Sequence, residues 1–331
     1  MLHAVRSCTL FTSALITGAL IGTAAHAQDA TPLQSGVPII TVGFAPGGAA
    51  DTTARIYAEA LRQHGFEKVL VDNKPGASGR IALNAVKSAA PDGLTMYLGG
   101  SPLFTIFPLT YTNLNYDADK DLRPVVALVE IPTALVTGSS APYNTMNEYV
   151  AWAKQQPATT SLGVASLGSA GHLGALALNK NQGLNIEPVA YRGAAPMLID
   201  VASEEVSLGW DAVASMMPLY KSEKIKFLGV SGTSRLSTLP DVPTIAEQGF
   251  PEYKSATSWY GIFVPASTPD DTVTQLEKAF ISASESPELQ QRLLDNGLVV
   301  APMAGKLVSE RIVQEREAIR PTVEASNIKM D

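Results

Sequence analysis

Hydrophobic positions along this chain switch repeatedly between a strand period and a helix period. Ile39, Ile40, Val42 and Phe44 form a short apolar run that suits a parallel strand covered on both faces. Ala54, Tyr57, Ala58 and Leu61 then recur at helical spacing, with the turn glycines Gly47 and Gly48 between the two segments. Strands are expected near 39–43, 69–73 and 95–99, with helices near 49–64 and 78–89 between them. This βαβαβ order predicts a parallel sheet with helices on its faces. Prolines punctuate the next region at Pro102, Pro108, Pro124 and Pro132, and the alternation then resumes. Its strands fall near 133–137, 161–165, 187–191, 206–210 and 225–230, and its helices near 146–155, 171–181, 195–203 and 215–222. Residues 231–251 read as a turn-rich connector with one short helix, 259–264 as a strand, and three helical stretches start at Pro269, Pro287 and Lys306. Too few strands accompany those last helices to make a domain, so they are expected to return to the first sheet. The pattern predicts an α/β protein of two lobes, each a mainly parallel sheet flanked by helices. Lobe one is discontinuous, 28–130 and 257–331, and lobe two is 131–256.

The first 27 residues stand outside that pattern. Arg6, an apolar stretch from Leu10 to Ile21, and Ala25-His26-Ala27 before Gln28 have the layout of a secretory signal peptide. The apolar core is short and interrupted by Thr12, Ser13 and Thr17, which argues against a membrane span. Cys8, the only cysteine, precedes that core and leaves with it. Arg6 is the only charge lost with the leader, so 23 basic side chains then face 31 acidic ones. A balance this acidic, without a basic cluster, argues against nucleic acid and anionic membrane surfaces as partners. After the leader only His64 and His172 remain as histidines, and there is no H-E-x-x-H or acidic calcium loop, so neither a metal nor a cofactor is expected. Asp117, Asp119 and Asp121 cluster in a loop that reads as a solvated turn, with paired catalytic carboxylates as the alternative.

Chemistry concentrates at strand-to-helix turns. Gly43, Gly47 and Gly48 do not form G-x-G-x-x-G, and no Lys-Ser or Lys-Thr pair follows, so neither a dinucleotide nor a P-loop site is indicated. The turn instead aims backbone N–H groups and a positive helix end at a general anion. Asp51, one turn into the helix, is either a cap or a contact at that site. A second such turn carries Ser166, Gly168 and Ser169 before a helix that contains His172. Simple capping by Ser169 with His172 on the surface is the plain alternative, and a serine hydrolase lacks its G-x-S-x-G elbow. Tyr191-Arg192-Gly193 and Trp210-Asp211 close two further strands, at the edge where open α/β sheets bind ligands. Arg192 either forks onto a carboxylate or is a surface charge. Asp211 either accepts a hydrogen bond from a ligand, holds the opposite lobe, or caps the next helix.

Seven stretches, in order, resemble one family: PGGAADTTAR (46–55), VDNKPGASGRIA (71–82), PDGLTMYLG (91–99), SLGSAGHL (166–173), YRGAAP (191–196), LPDVPTIAEQGFPEY (239–253) and WYGIFVPASTP (259–269). The chain is similar to the extracytoplasmic solute-binding proteins of tripartite tricarboxylate transporters, the Bug family. That resemblance implies a periplasmic binding protein of the second structural class, without enzymatic activity or cofactor, whose lobes close on a small carboxylate. It implies contacts from Phe44, Gly47, Gly48, Asp51 and Ser101 in lobe one, and from Ser166, Gly168, Ser169, His172, Tyr191, Arg192 and Asp211 in lobe two. Partners would be the carboxylate and membrane transporter subunits, with a monomeric binding protein. A sensor component that signals to a membrane receptor is the alternative, ahead of a secreted α/β enzyme. Phe44, Tyr191, Trp210 and Trp259 are candidates for the wall around the ligand's other end, with core packing expected for at least two. Lys74 and Ser78 stand where the family often has arginine and glycine.

Overall fold

Ile39–Val42 forms β1, which buries Ile40 and Val42 completely and runs into the turn that starts α1 (Ala49–Ala60). The computed structural model describes residues 36–156, 160–164, 169–191, 193–251, 253, 258–326, 329 and 330. The leader expected over 1–27 lies outside the described residues, as do the site candidates Ser166, Gly168 and Arg192. β2 (Leu70–Asn73), α2 (Arg80–Lys87) and β3 (Thr95–Gly100) complete the first βαβαβ unit, with β1 paired in parallel to both other strands. Two single-turn helices, α3 (Pro102–Thr105) and α4 (Phe107–Thr110), then lead to β4 (Leu122–Ile131).

Only Pro132 separates β4 from β5 (Thr133–Gly138), which belongs to the other sheet. The second sheet continues through α5 (Met146–Ala153), β6 (Thr160–Val164), α6 (Ala170–Gln182), β7 (Ile186–Ala190), α7 (Ala194–Ala202), β8 (Leu208–Ala212), α8 (Val213–Lys221) and β9 (Ile225–Val230). β10 (Ser258–Pro265) returns to the first sheet, followed by α9 (Asp270–Ser284), α10 (Pro287–Asp295), β11 (Val299–Ala304) and α11 (Gly305–Ser326). The strand orders are β11-β4-β10-β3-β1-β2 and β7-β6-β8-β5-β9.

Both sheets are mixed. The expected parallel pairing makes up one half of each, and the other half is antiparallel: β10 with β3 and β4, β11 with β4, and β5 with β8 and β9. Two strands of the antiparallel half, β4 and β11, have no counterpart in the sequence reading. Each contains a proline, Pro124 and Pro302, a residue that normally argues against a strand. Register irregularities in the ladders beside them accommodate the missing donors. The connector after β9 is also different from expectation. Among the described residues its helical character is confined to Pro251 and Tyr253, in 3-10 conformation, after turns over 245–249. Thr244 and Glu247 hold them reciprocally, Glu247 N–H donating to Thr244 Oγ1 at 3.0 Å and Thr244 N–H to Glu247 Oε2 at 2.7 Å.

Each sheet is buried on both faces. Val273, Leu276 and Phe280 of α9 and Leu289 and Leu293 of α10 cover one face of the first sheet. Val308 and Ile312 of α11 join Trp259, Phe263 and Phe104 on the other. The second sheet carries Met146, Tyr149 and Leu178 on one face, and Met197, Val201 and Met216 on the other. A fifth cluster crosses between the sheets' helices, where Ile106, Leu173 of α6 and Val323 of α11 meet.

Candidate functional site

The registers bring the candidate turns to two facing edges. β1 and β3 are parallel, so the turns after Val42 and Gly100 leave the first sheet on the same side. β10 runs antiparallel to β3, and β4 antiparallel to β10, which puts Ser258 and Ile131 on that side too. In the second sheet Val164, Ala190 and Ala212 end parallel strands, and Thr133, which begins β5, pairs with Ala212. Ile131 and Thr133 are joined through Pro132, so these two edges adjoin. Ligand-binding turns of open α/β sheets sit at this end of the strands.

Asp51 organises the first turn. Its Oδ2 accepts from Gly47 N–H and Arg55 Nε, both at 2.9 Å, and its Oδ1 from Asn73 Nδ2 at 2.9 Å. The Arg55 hydrogen bond leads the causes that lower its carboxyl to about 2, so it is ionised but neutralised locally. Asn73 also donates to Phe44 C=O at 3.0 Å, tying β2 to the turn. Gly43 meets the second turn backbone to backbone, since a Cβ there would lie 2.5 Å from Gly79 Cα. The first intrahelical bond of α1 is Thr52 N–H to Gly48 C=O. The N–H groups of Ala49, Ala50 and Asp51 therefore precede its ladder, at the positive end of the helix. Phe44, Gly47 and Gly48 are exposed beside them.

Ser101 is 3 % exposed and sits against β10. Its N–H donates to Trp259 C=O at 2.9 Å, and its Oγ accepts from Trp259 N–H at 3.3 Å. On the other edge Ser169 caps α6, its Oγ accepting from His172 N–H at 3.3 Å. His172 is buried, not on the surface, and burial lowers its imidazole below the ordinary histidine range, so the ring is neutral at pH 7. Asp211 accepts from Ala212 N–H at 2.6 Å and from the Ser215 side chain, while burial raises its carboxyl. Tyr191 turns its hydroxyl to Asp200 Oδ2 at 2.7 Å and packs its ring over Gly163. That hydroxyl is thereby committed to α7. Burial and the Asp200 carboxylate push it up to about 12.

Among the expected wall aromatics, Trp259 and Trp210 belong to the two cores, whereas Phe44 is 40 % exposed. The sequence reading missed Tyr260. It lies beside Gly100 on β10, and the charge of Asp211 on the opposite sheet adds to burial in pushing its hydroxyl up to about 12. Its neighbour Trp259 is core-facing, and strand alternation then turns Tyr260 the other way. Next to Ser101 a cavity of about 260 Å³ opens between α3, α6, β10 and α11. Among the described residues no group of three or more metal-ligating side chains occurs, and no helix is long and apolar enough to cross a membrane.

The described protein matches known ones over most of its length. A model of the tripartite tricarboxylate transporter family receptor, TctC, matches residues 53–327. A UPF0065 protein of Bordetella pertussis is 32 % identical over 259 residues, covering 78 % of this chain and 80 % of that protein. BugT of the same organism is 28 % identical over 275 residues, with 82 % of each chain covered. The solved periplasmic binding protein BugD superposes with a TM-score of 0.73 at 28 % identity, over 89 % of this chain and 98 % of that one. A protein of R. palustris solved with adipate gives 0.76 at 30 % identity, over 87 % and 97 %. With two α/β lobes whose ligand-type edges adjoin, and with a family model that spans nearly all of both sheets, the chain belongs to the TctC receptor family, the Bug-type periplasmic binding proteins.

Proposed function

We propose that this protein captures a small carboxylate between its two lobes in the periplasm and hands it to a membrane transporter of the tripartite tricarboxylate type. The observation that carries the reading is the pair of helix N-termini, α1 and α6, presented from adjoining sheet edges with no basic side chain among the described candidates. N–H groups outside a helix ladder suit an anion, each charge-assisted hydrogen bond contributing about 1.5–3 kcal/mol. Four or five such bonds reach the roughly 8 kcal/mol of micromolar binding after ordering costs. Two relatives support a carboxylate, the R. palustris protein solved with adipate and MatC of Rhodopseudomonas palustris solved with malate.

In this reading Phe44, Gly48, Ser101, Ser169, His172 and Asp211 meet the ligand, together with Ser166, Gly168 and Arg192 of the neighbouring turns. Asp51, Gly47 and Tyr191 position them, because their polar atoms are already engaged within their own lobes. Lobe one comprises 28–130 and 257–331, lobe two 131–256, and Pro132 is one of the two crossings about which they close. A ligand that bridges both edges favours the closed form by its extra contacts there.

Thermal melting against a panel of mono- and dicarboxylates tests this. A ligand at 100 times its Kd adds about 2.7 kcal/mol and raises the midpoint by several degrees. Ser169→Ala combined with His172→Ala removes most of that rise while the unliganded midpoint moves little. Chemical conversion of a stabilising acid, or equal loss of stability with and without it, would overturn the assignment.

A further inference from the structure

The cavity beside Ser101 is built from both lobes. Pro102 and Ile106, Ala170, Leu173 and Ala177 of α6, and Ala318 and Ile319 of α11 give it an apolar lining. Its polar side chains are the hydroxyls of Ser101, Thr105, Tyr253, Ser258 and Thr322, and Glu315, which carries the lining's one ionisable carboxyl. Ser101 and Ala170, the first residue of α6, line the cavity and also stand at the two edges of the proposed carboxylate cradle, so the cavity adjoins it there.

Glu315 gives the cavity a definite sign. Its Oε1 accepts from Arg311 Nε at 2.6 Å, and both its oxygens from Trp259 Nε1, at 3.2 and 3.1 Å. Arg311 is shared, since its other nitrogens fork onto Glu130 at 2.5 and 3.2 Å. One guanidinium therefore serves two carboxylates, and among the described residues the charges that bear on Glu315 are those of Arg311 and Glu130. With both carboxylates ionised the cluster carries one surplus negative charge; burial raises the Glu315 carboxyl, only 12 % of its side chain is exposed, and Glu315 lines the cavity. A second carboxylate placed there would meet that charge across a poorly solvated space, whereas an N–H donor or a cation would satisfy it.

Building on the carboxylate reading, we propose that the cavity receives the far end of the ligand and that Glu315 selects an amine or primary amide there over a second carboxylate. The ligand class is then an aliphatic acid of several carbons with an amino or amide terminus, the methylenes lying along Ile106, Leu173 and Ile319. Glu315 is the specificity-determining residue, and the α1 and α6 N-termini hold the carboxylate common to all candidates.

Calorimetric titration of the purified protein at pH 7 with two series tests this: pentanoate, 5-aminopentanoate, glutaramate and glutarate, and the six-carbon equivalents. The amino or amide acid is expected to bind at least tenfold more tightly than the diacid of equal length. Glu315→Gln should shrink that ratio below threefold, and Ala177→Leu, which fills the cavity, should weaken the longer acids at least tenfold. A diacid that binds as tightly as its amino counterpart in the unaltered protein overturns the inference, and that comparison stands even where a variant does not fold. An unchanged ratio in folded Glu315→Gln also overturns it. Failure of every acid in both series and in the wider carboxylate panel would instead remove the carboxylate reading beneath it.

Discussion

Asp51 holds Gly47, Arg55 and Asn73 with two oxygens, and that geometry makes acid the selective way to loosen the first turn. Its carboxyl is lowered from 3.8 to about 2. The unfolded chain takes up the proton first as pH falls, so the contribution is fully present above about pH 4 and is lost as pH falls through 2. Arg55 is half exposed, which discounts the effect to about 1–2 kcal/mol. Asp51→Asn should remove that much at pH 6, with the difference shrinking as pH falls and the two proteins converging below about pH 2, read from urea midpoints. Ser78 carries a second residue-scale prediction. It is exposed with φ +54, a left-handed conformation that costs a non-glycine residue about 1–2 kcal/mol. Ser78→Gly should therefore stabilise the protein by about 0.5–1 kcal/mol after the glycine's own entropy is deducted, measurable as a higher melting temperature. That Asp51 would serve its own turn was one of two readings open in the sequence, from its place one turn into the helix, and it bonds Gly47 N–H ahead of the N-cap. Asn73, which locks that carboxylate from 22 residues away, was not legible, because only the β1–β2 pairing brings the two together.

Elements with a single clear period were legible, even with an internal proline as in β7 and α8, whereas two strands that contain a proline were not. The β1-α1 and β6-α6 units follow directly from apolar runs and glycine-rich turns, and the candidate site sits on their ends. β4 and β11 were hidden by Pro124 and Pro302, although β4 is the strand on which α9, α11, β10 and β11 converge. Helix α6 shows what the glycines of its first turns do. A Cβ at Gly171 would lie 2.6 Å from the Trp210 ring, so α6 rests its backbone on that indole. The intrinsic helix gain of alanine over glycine is about 1 kcal/mol, smaller than the cost of displacing a buried tryptophan. Gly171→Ala is expected to lower stability by about 1–3 kcal/mol in denaturant titration, and to weaken ligand binding as well because Ser169 and His172 ride on the same turn.

At the scale of the molecule, the return of the last helices to the first sheet was readable from a count of strands, and the facing of the two edges was not. It depends on register and on the reach of one residue, Pro132, between β4 and β5. The same junction has a partner: Thr133 Oγ1 and Ser231 Oγ lie 2.8 Å apart, and Ser231 N–H donates to Thr133 C=O at 2.8 Å. The chain thus enters the second sheet at Thr133, and that sheet's last strand, β9, ends just before Ser231, ninety-eight residues later and beside that entry point. Closing that segment on itself would demand almost no loop entropy. The connector after Ser231 still packs Leu239, Val242, Ile245 and Phe250 on that sheet's cores, and Ile131 pairs with Ser258 at the start of β10, so the segment between those two residues is, in topological terms, a cassette clipped into a host whose own fold is made from the two flanking pieces. Exchange of the cassette between relatives would transplant the α6 half of the cradle while leaving the α1 half and Glu315 in place, so the two halves of ligand recognition can vary independently.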